Sequence, residues 1–274
     1  MNSKKTNNLI SVENAQEIIF SKFKKLETIK KKLIDSSGFI LEKEIKALFD
    51  LPNKNNSAMD GFAVRHEDLE PNKSLKVVGR VGAEAITDYV LKKDEALRIM
   101  TGSGIPEGAD SVVPFEKTNN NPHNGNDFPD SVLINETVKK GDNIRLSGQD
   151  YKFGETVVKG GMLIDPPIVG AIASFGINEV SVIRKPLVSV ISTGNELVMP
   201  GDKLKEGQIY DSNSFAISAA IKNSGADFKM HRILSDNKED VDKLYEDCSQ
   251  SDLIVTIGGV SKGDFDLIRD AISS

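Results

Sequence analysis

Residues 186–193 read PLVSVIST, residues 227–234 DFKMHRIL and residues 252–259 DLIVTIGG. The first and third are apolar runs rich in β-branched side chains, and the second reads as a strand of mixed character. Stretches with helical spacing follow them, at 212–225 (SNSFAISAAIKNSG), 237–250 (NKEDVDKLYEDCSQ) and 265–273 (FDLIRDAIS). Strands alternating with helices predict a parallel sheet joined by right-handed crossovers. Three strands make half of a doubly wound domain, so the α/β region over 186–274 is expected to be incomplete.

In an open sheet of this kind the reactive crevice lies beyond the carboxyl ends of the strands. The three loops there read Ser192-Thr193-Gly194-Asn195-Glu196, Ser235-Asp236-Asn237 and Gly258-Gly259-Val260-Ser261-Lys262-Gly263-Asp264-Phe265-Asp266. Glycines let backbone N–H groups approach a phosphate, a following helix start favours an anion, and carboxylates hold the magnesium that a pyrophosphate needs. Each loop alone also has a plain reading: Gly-Gly is a tight turn, and Asp236 is a helix cap. Three such loops converging on one edge point instead to an anion-plus-metal crevice. The helix after the first strand opens on Asp211-Ser212-Asn213, and capping accounts for one of these residues, which leaves Asp211 or Ser212 as a candidate nucleotide contact.

Upstream, the texture changes. Between Leu51 and Asp142 the runs SLKVVGRVGA, ALRIMTGS, SVVPFEKT and SVLINETV are divided by Gly, Pro and Asn, which predicts a separate β-rich module over 51–142. Its segment Thr118 to Asp130 (TNNNPHNGNDFPD) is turn-forming and is expected to be an exposed hairpin tip. The stretch from Asn55 to Arg65 (NNSAMDGFAVR) reads as a polar loop entering a strand, and Thr101 and Asn143 sit in similar turn chemistry. Before the module, Val12, Ala15, Ile19, Phe23, Leu26, Ile29 and Leu33 recur at three- and four-residue spacing, which predicts one long amphipathic helix of roughly 33 Å ending at Ser36-Ser37-Gly38. A helix of that length outruns a small domain, so part of its stripe is expected to pack on another subunit.

Composition narrows the function classes. The chain has 274 residues, enough for two or three compact units, and 35 basic against 41 acidic residues give a net −6. That balance argues against a broad nucleic-acid surface, although the first 54 residues hold eleven lysines and seven acids, a local excess of four. No apolar run approaches the ~20 residues of a membrane span, and the N-terminus lacks a secretory h-region, so a cytoplasmic protein is expected. The single cysteine, Cys248, has no partner for a disulfide or a soft-metal site, and three scattered histidines disfavour zinc. Any metal should be hard and oxygen-bound.

Taken in order, NNSAMDGFAVR, RIMTGSGIPEGADSVV, GDNIRLSGQD, VGAIASFGINEVSVIRKP, VISTGNEL, GQIYDSNS and IVTIGGVSKGDFD resemble the molybdopterin molybdotransferase family, from about Asn53 to the last residues. The resemblance implies an α/β plus β fold in an elongated multidomain chain. Its parts would be a dimerisation lobe over 1–50 and 143–185, the inserted β module over 51–142, and a three-layer molybdopterin-binding domain over 186–274. It implies a homodimer whose cleft joins the α/β lobe of one subunit to the β module of the other. The implied reaction converts adenylyl-molybdopterin and molybdate to molybdenum cofactor and AMP with Mg2+. A molybdopterin adenylyltransferase is an implied partner.

Position by position, Asp60 and Thr101 resemble cleft residues of the β module, and Asp150 the carboxylate after the GQD turn. Glu196 and Asp236 resemble residues shaping the pterin and phosphate site, and Asp266 a magnesium ligand. Ser192, Thr193, Gly194, Asp211, Ser212, Gly258, Gly259 and Ser261 resemble substrate-binding positions. Asn195 stands where many members have Asp. The family continues with a further strand, a PGKP-type loop and a C-terminal β domain, so a sheet unfinished at Ser274 is the expectation. A noncatalytic scaffolding relative of the gephyrin type and an adenylyltransferase-type enzyme are the competing classes. The retained carboxylates disfavour the first, and the β module disfavours the second.

Overall fold

The structure is a computed structural model that describes residues 10–82, 88–119, 129–194, 196–233, 244 and 246–258. By contacts it divides into two units: one comprises Glu44–Lys159 with Ser174–Gly176, the other Met1–Lys43, Gly160–Ala173 and Ile177–Ser274. The fold is mixed α/β with strands dominating.

The first of these units is built on a five-stranded sheet. Across it the strands run Ser111–Pro114, Gly61–Val64, Glu95–Ile99, Ser74–Val81 and Ser131–Leu133. Ser74–Val81 pairs parallel with Glu95–Ile99, and the other pairings are antiparallel. Successive side chains of a strand point to opposite faces, and here both faces are covered. Phe62 and Val64 join Leu75, Val113 and Phe115 on one side, while Ala63 joins Leu91, Leu97 and Ile99 on the other. A strand buried on both faces needs no polar alternation, which is why GFAV is apolar throughout. Phe62 and Phe115 meet edge to face at 5.4 Å. The four β runs expected from sequence are all strands. Residues 120–128 of the turn-forming stretch lie outside the described residues, and its flanks are joined where Thr118 bridges Ile134.

In the second unit the long N-terminal helix is corrected. Helix α1 covers only Val12–Lys22, capped by the Ser11 hydroxyl accepting from Asn14 N, and Phe23 is already extended. Eleven residues rise about 16 Å, half the expected length. Thr28–Lys32 is a strand paired antiparallel with Glu179–Ile183, with Ile29 opposite Val182, and Leu33–Asp35 is a 3-10 turn that buries Leu33. The apolar spacing of Leu26, Ile29 and Leu33 suits a helix, but it is equally met by a strand followed by a turn. The backbone ladder to a segment some 150 residues away decides the matter, and local periodicity does not register it. Ser36-Ser37-Gly38 is a turn in its own right: Gly38 takes φ +81°, and its N–H donates to the Ile164 carbonyl. Helix α2, Pro166–Ala173, starts on a proline that needs no N–H there, behind Asp165, whose carboxylate accepts from Ile168 N.

The parallel sheet of this unit has the order Asp227–Ile233, Leu187–Thr193, Leu253–Ile257, so the earliest of its three strands in sequence is the central one. Helix α3, Ser212–Asn223, packs on the Leu187–Thr193 and Asp227–Ile233 strands. Val190 and Ile191 are buried in the middle strand, and the buried Cys248 packs with Ile191 and Leu244. Residues 265–273, expected from sequence to be helical, lie outside the described residues. Among the described residues no helix is long and apolar enough to cross a membrane.

The two three-stranded sheets of this unit are joined by an ionic knot that no motif announces. Arg184, in the short link between the Glu179–Ile183 and Leu187–Thr193 strands, donates to both carboxylate oxygens of Asp252, at 2.6 Å each, and to Glu27. Asp252 also accepts from Leu187 N at 2.8 Å. The guanidinium holds the Asp252 carboxyl below the ordinary aspartate range. A carboxyl that titrates lower folded than unfolded contributes stability above its unfolded pKa and loses it as pH falls through the folded value. Asp252→Asn is therefore expected to lower the urea midpoint at about pH 7, with the gap from wild type closing as pH falls below ~4. A gap independent of pH would show that the ion pair is not its source.

Candidate functional site

Three separate stretches of the β-module unit meet around residues 55–60. Ser57 N donates to Ser103 O and Gly102 N to Ser57 O, both at 2.9 Å, which clamps the MTG turn to the SAMDG loop. Ala58 N donates to Asn143 O at 2.9 Å, and Asn56–Ser57 pairs with Ile144–Arg145. Gly102 supports the sharp turn with φ +85°. Asp60 and Thr101 are brought into direct contact, because one carboxylate oxygen, Oδ1, accepts both Thr101 N at 2.7 Å and Thr101 Oγ1 at 2.8 Å. Among the described residues no hydrogen bond engages Oδ2 of Asp60, which leaves it as the oxygen to present to a ligand. Two fixed donors on one oxygen orient the carboxylate, which is what a site needs if charge is to be presented in one direction.

Asp150 lies on the other flank of the same loop. Its backbone N–H donates to Leu51 O at 2.9 Å, and its Oδ2 accepts from the Arg145 guanidinium. Arg145 and Asp150 line a pocket of about 420 Å³ together with Phe49, Pro52, Asn53 and Asn56. Sequence reasoning passed over Asn56, Phe49 and Arg145 as site residues. The available signal was the clustering of NIRLSGQD, where a basic and an acidic residue stand five apart.

In the other unit the described part of the strand-end loops is the first loop and the start of the third. Ser192 is buried at the end of the central strand and Thr193 follows it. Gly194 takes φ +146°, and a Cβ there would sit 2.6 Å from the Glu196 carboxylate oxygens, so Glu196 folds back over the Gly194 backbone. Gly258, at φ +85°, lies so close that a Cβ would meet Thr193 Oγ1 at 3.2 Å. The first and third loops are thus neighbours, as parallel pairing of their strands requires. Asp211 is buried and caps α3, its Oδ1 accepting from Ser214 N at 3.1 Å, with Ser212 the first helical residue. The loop is tied to this helix start by Ile209 N donating to Glu196 O and by the short pairing of Leu197–Val198 with Ile209–Tyr210. Asp236, Gly259, Ser261 and Asp266 lie outside the described residues, as does Asn195. Among the described residues no group of three His, Cys, Asp or Glu side chains could hold a metal. A magnesium ion here would depend on residues beyond that set.

Residues 10–176 match the family described as MoeA N-terminal region (domain I and II). This chain belongs to the MoeA family. Residues 189–274 of the MoeA-family chain match a second family, described as a probable molybdopterin binding domain. It is 36% identical over 271 residues to the molybdopterin molybdenumtransferase of Staphylococcus epidermidis, covering 97% of this chain and 63% of that protein. The Staphylococcus aureus molybdopterin molybdenumtransferase is 34% identical over 269 residues, 96% of this chain and 62% of its own length. Two solved MoeA structures from Pyrococcus horikoshii share the fold. One has a TM-score of 0.73 at 32% identity, with 96% of this chain and 66% of that one covered. The other has a TM-score of 0.79 at 27% identity, with 91% and 66% covered. The chain therefore spans about 63% of the length of the first of these curated relatives.

Proposed function

We propose that this MoeA-family chain carries out the molybdenum-insertion step of molybdenum cofactor assembly, using adenylyl-molybdopterin and molybdate and releasing molybdenum cofactor and AMP. The observation that carries the reading is the contact between Asp60 and Thr101. The SAMDG and MTG motifs, 41 residues apart, are locked together with one carboxylate oxygen held and the other left for a ligand. The names of the staphylococcal relatives, molybdopterin molybdenumtransferases, support the same reaction class.

The bond to be broken is the phosphoanhydride between AMP and the molybdopterin phosphate. In this reading the loop after Thr193, with Gly258 beside it, approaches the phosphates, and the start of α3 at Ser212 adds N–H donors. Glu196 and Asp236 shape that site in this reading. Magnesium, when bound, offsets phosphate charge and polarises the phosphoryl oxygens, and Asp266 is the residue proposed to hold it. The three-part division into 1–50 with 143–185, 51–142 and 186–274, and the homodimer, belong to the same proposal. Support for a homodimer comes from α1, where Val12, Ile19 and Phe20 are 69%, 52% and 74% exposed and no residue of the helix is buried.

The test is release of AMP from adenylyl-molybdopterin by this chain, with molybdate and magnesium each omitted in turn. AMP release that requires both is the expected result. Hydrolysis indifferent to molybdate, or none, would overturn the reading. Light scattering over micromolar concentrations is expected to give twice the chain mass, and a monomer throughout would remove the dimer.

A further inference from the structure

The pocket beside Asp150 has a chemical character that neither the motifs nor the reaction specify. Its volume of about 420 Å³ suits a bicyclic ring, near the lower end of ligand-sized cavities. One wall is Phe49, 40% exposed and held from behind. Its ring packs on Phe175 at 5.3 Å, and the buried Phe175 packs on Tyr151 at 5.9 Å. An exposed aromatic fixed by two others is a stacking surface rather than a loose side chain.

The polar groups of the pocket combine acceptors with one strong donor, the Arg145 guanidinium. Asn56 Oδ1 is buried with no partner, a condition that costs about 1–3 kcal/mol until a donor reaches it. Turning over the amide, whose terminal torsion is broad, presents it to the pocket. Asp150 uses Oδ2 for Arg145, and Oδ1 has no hydrogen bond among the described residues. Arg145 spends one of its five N–H donors on Asp150 and so keeps donors for the ligand. An oxyanion such as molybdate or phosphate would gain Arg145 but would also meet the Asp150 carboxylate, which repels it. A planar heterocycle with two adjacent N–H donors and a neighbouring carbonyl suits these groups instead.

Accepting the proposed reaction, the substrate offers two heterocycles. Adenine has one exocyclic amino donor flanked by ring acceptors. The pterin carries an aminopyrimidinone edge, with its ring N–H and amino group side by side and a carbonyl next to them. We infer that the pocket formed by Phe49, Asn56, Arg145 and Asp150 seats the pterin ring, with Asp150 and Asn56 accepting from the amino and ring N–H groups and Arg145 donating to the carbonyl. Asp150 is then a substrate-recognition residue.

The probe is hydroxymethylpterin, whose fluorescence is read cleanly because the chain has no tryptophan. Titration into the full chain is expected to show saturable binding that adenosine and molybdate do not displace. Asp150→Asn and Asn56→Leu should each weaken it about tenfold or more, the loss of roughly one charge-assisted or buried hydrogen bond. Phe49→Leu should weaken it with an unchanged thermal melt, which separates lost stacking from lost fold. No pterin binding by the wild type, equal displacement by adenosine, or unaltered affinity in Asp150→Asn and Asn56→Leu would overturn the inference. The two readings fail separately. Molybdate-dependent AMP release with an unchanged KM in Asp150→Asn sinks the pterin seat alone, whereas pterin binding without AMP release sinks the reaction alone.

Discussion

Gly61→Ala is expected to abolish the cooperative fold of the β-module unit. The Gly61–Val64 strand lies between Glu95–Ile99 and Ser111–Pro114, with Gly61 opposite Ile99 on one side and Pro114 on the other. A Cβ at residue 61 would sit 2.1 Å from the Val113 carbonyl oxygen and 2.9 Å from Pro114 Cα. Both atoms are backbone of a neighbouring strand, so the clash is relieved only by parting the sheet. Overpacking a core usually costs about 1–3 kcal/mol, and a backbone collision in the sheet should reach ~3 kcal/mol or more. Gly102→Ala is the comparison: its φ is +85° but nothing lies within 4 Å of the added methyl, so only the left-handed backbone penalty of about 1–2 kcal/mol applies. Urea denaturation followed by far-UV circular dichroism measures both. A smaller loss for Gly61→Ala than for Gly102→Ala would refute the close-approach account.

Asp60→Asn should leave that fold intact and remove most of the activity. An asparagine carbonyl still accepts from Thr101 N and Oγ1, so the clamp at 2.7 and 2.8 Å survives while the charge is lost. Oriented acid–base and electrostatic groups contribute roughly 10²-fold or more to turnover, and a fall of at least ~100-fold in AMP release is the expected result. Thr101→Val removes one of the two donors and keeps the backbone one, so its loss should be nearer tenfold. Urea midpoints of both variants should match wild type. Full turnover by Asp60→Asn would exclude this carboxylate from the chemistry, and a lowered midpoint would mark its role as structural.

Much of this arrangement was legible before any coordinates. The runs PLVSVIST, DFKMHRIL and DLIVTIGG are three parallel strands, because short strand-like runs separated by helical spacing leave few other ways to bury their apolar side chains. The SAMDG and MTG segments were singled out, but their physical reason was not visible. Asp-Gly read as turn chemistry, whereas Gly61 is required by the approach of a neighbouring strand and Asp60 by two donors from Thr101. The Arg184 knot was also invisible, since its partners Glu27 and Asp252 stand 157 and 68 residues away.

The amino-acid sequence by itself determined which segments are strands in the α/β region, where its strand-end loops fall and which motifs must be accounted for. These follow from local periodicity and from the side chains that turns demand. Only the tertiary structure decided that α1 ends at Lys22 and that Thr28–Lys32 joins a sheet. It also decided that Gly61 tolerates no side chain, and that Phe49, Asn56, Arg145 and Asp150 share one pocket. Each of these depends on a partner distant in the chain. Spacing along a sequence records how a side chain repeats, but not which remote backbone satisfies its N–H and C=O groups.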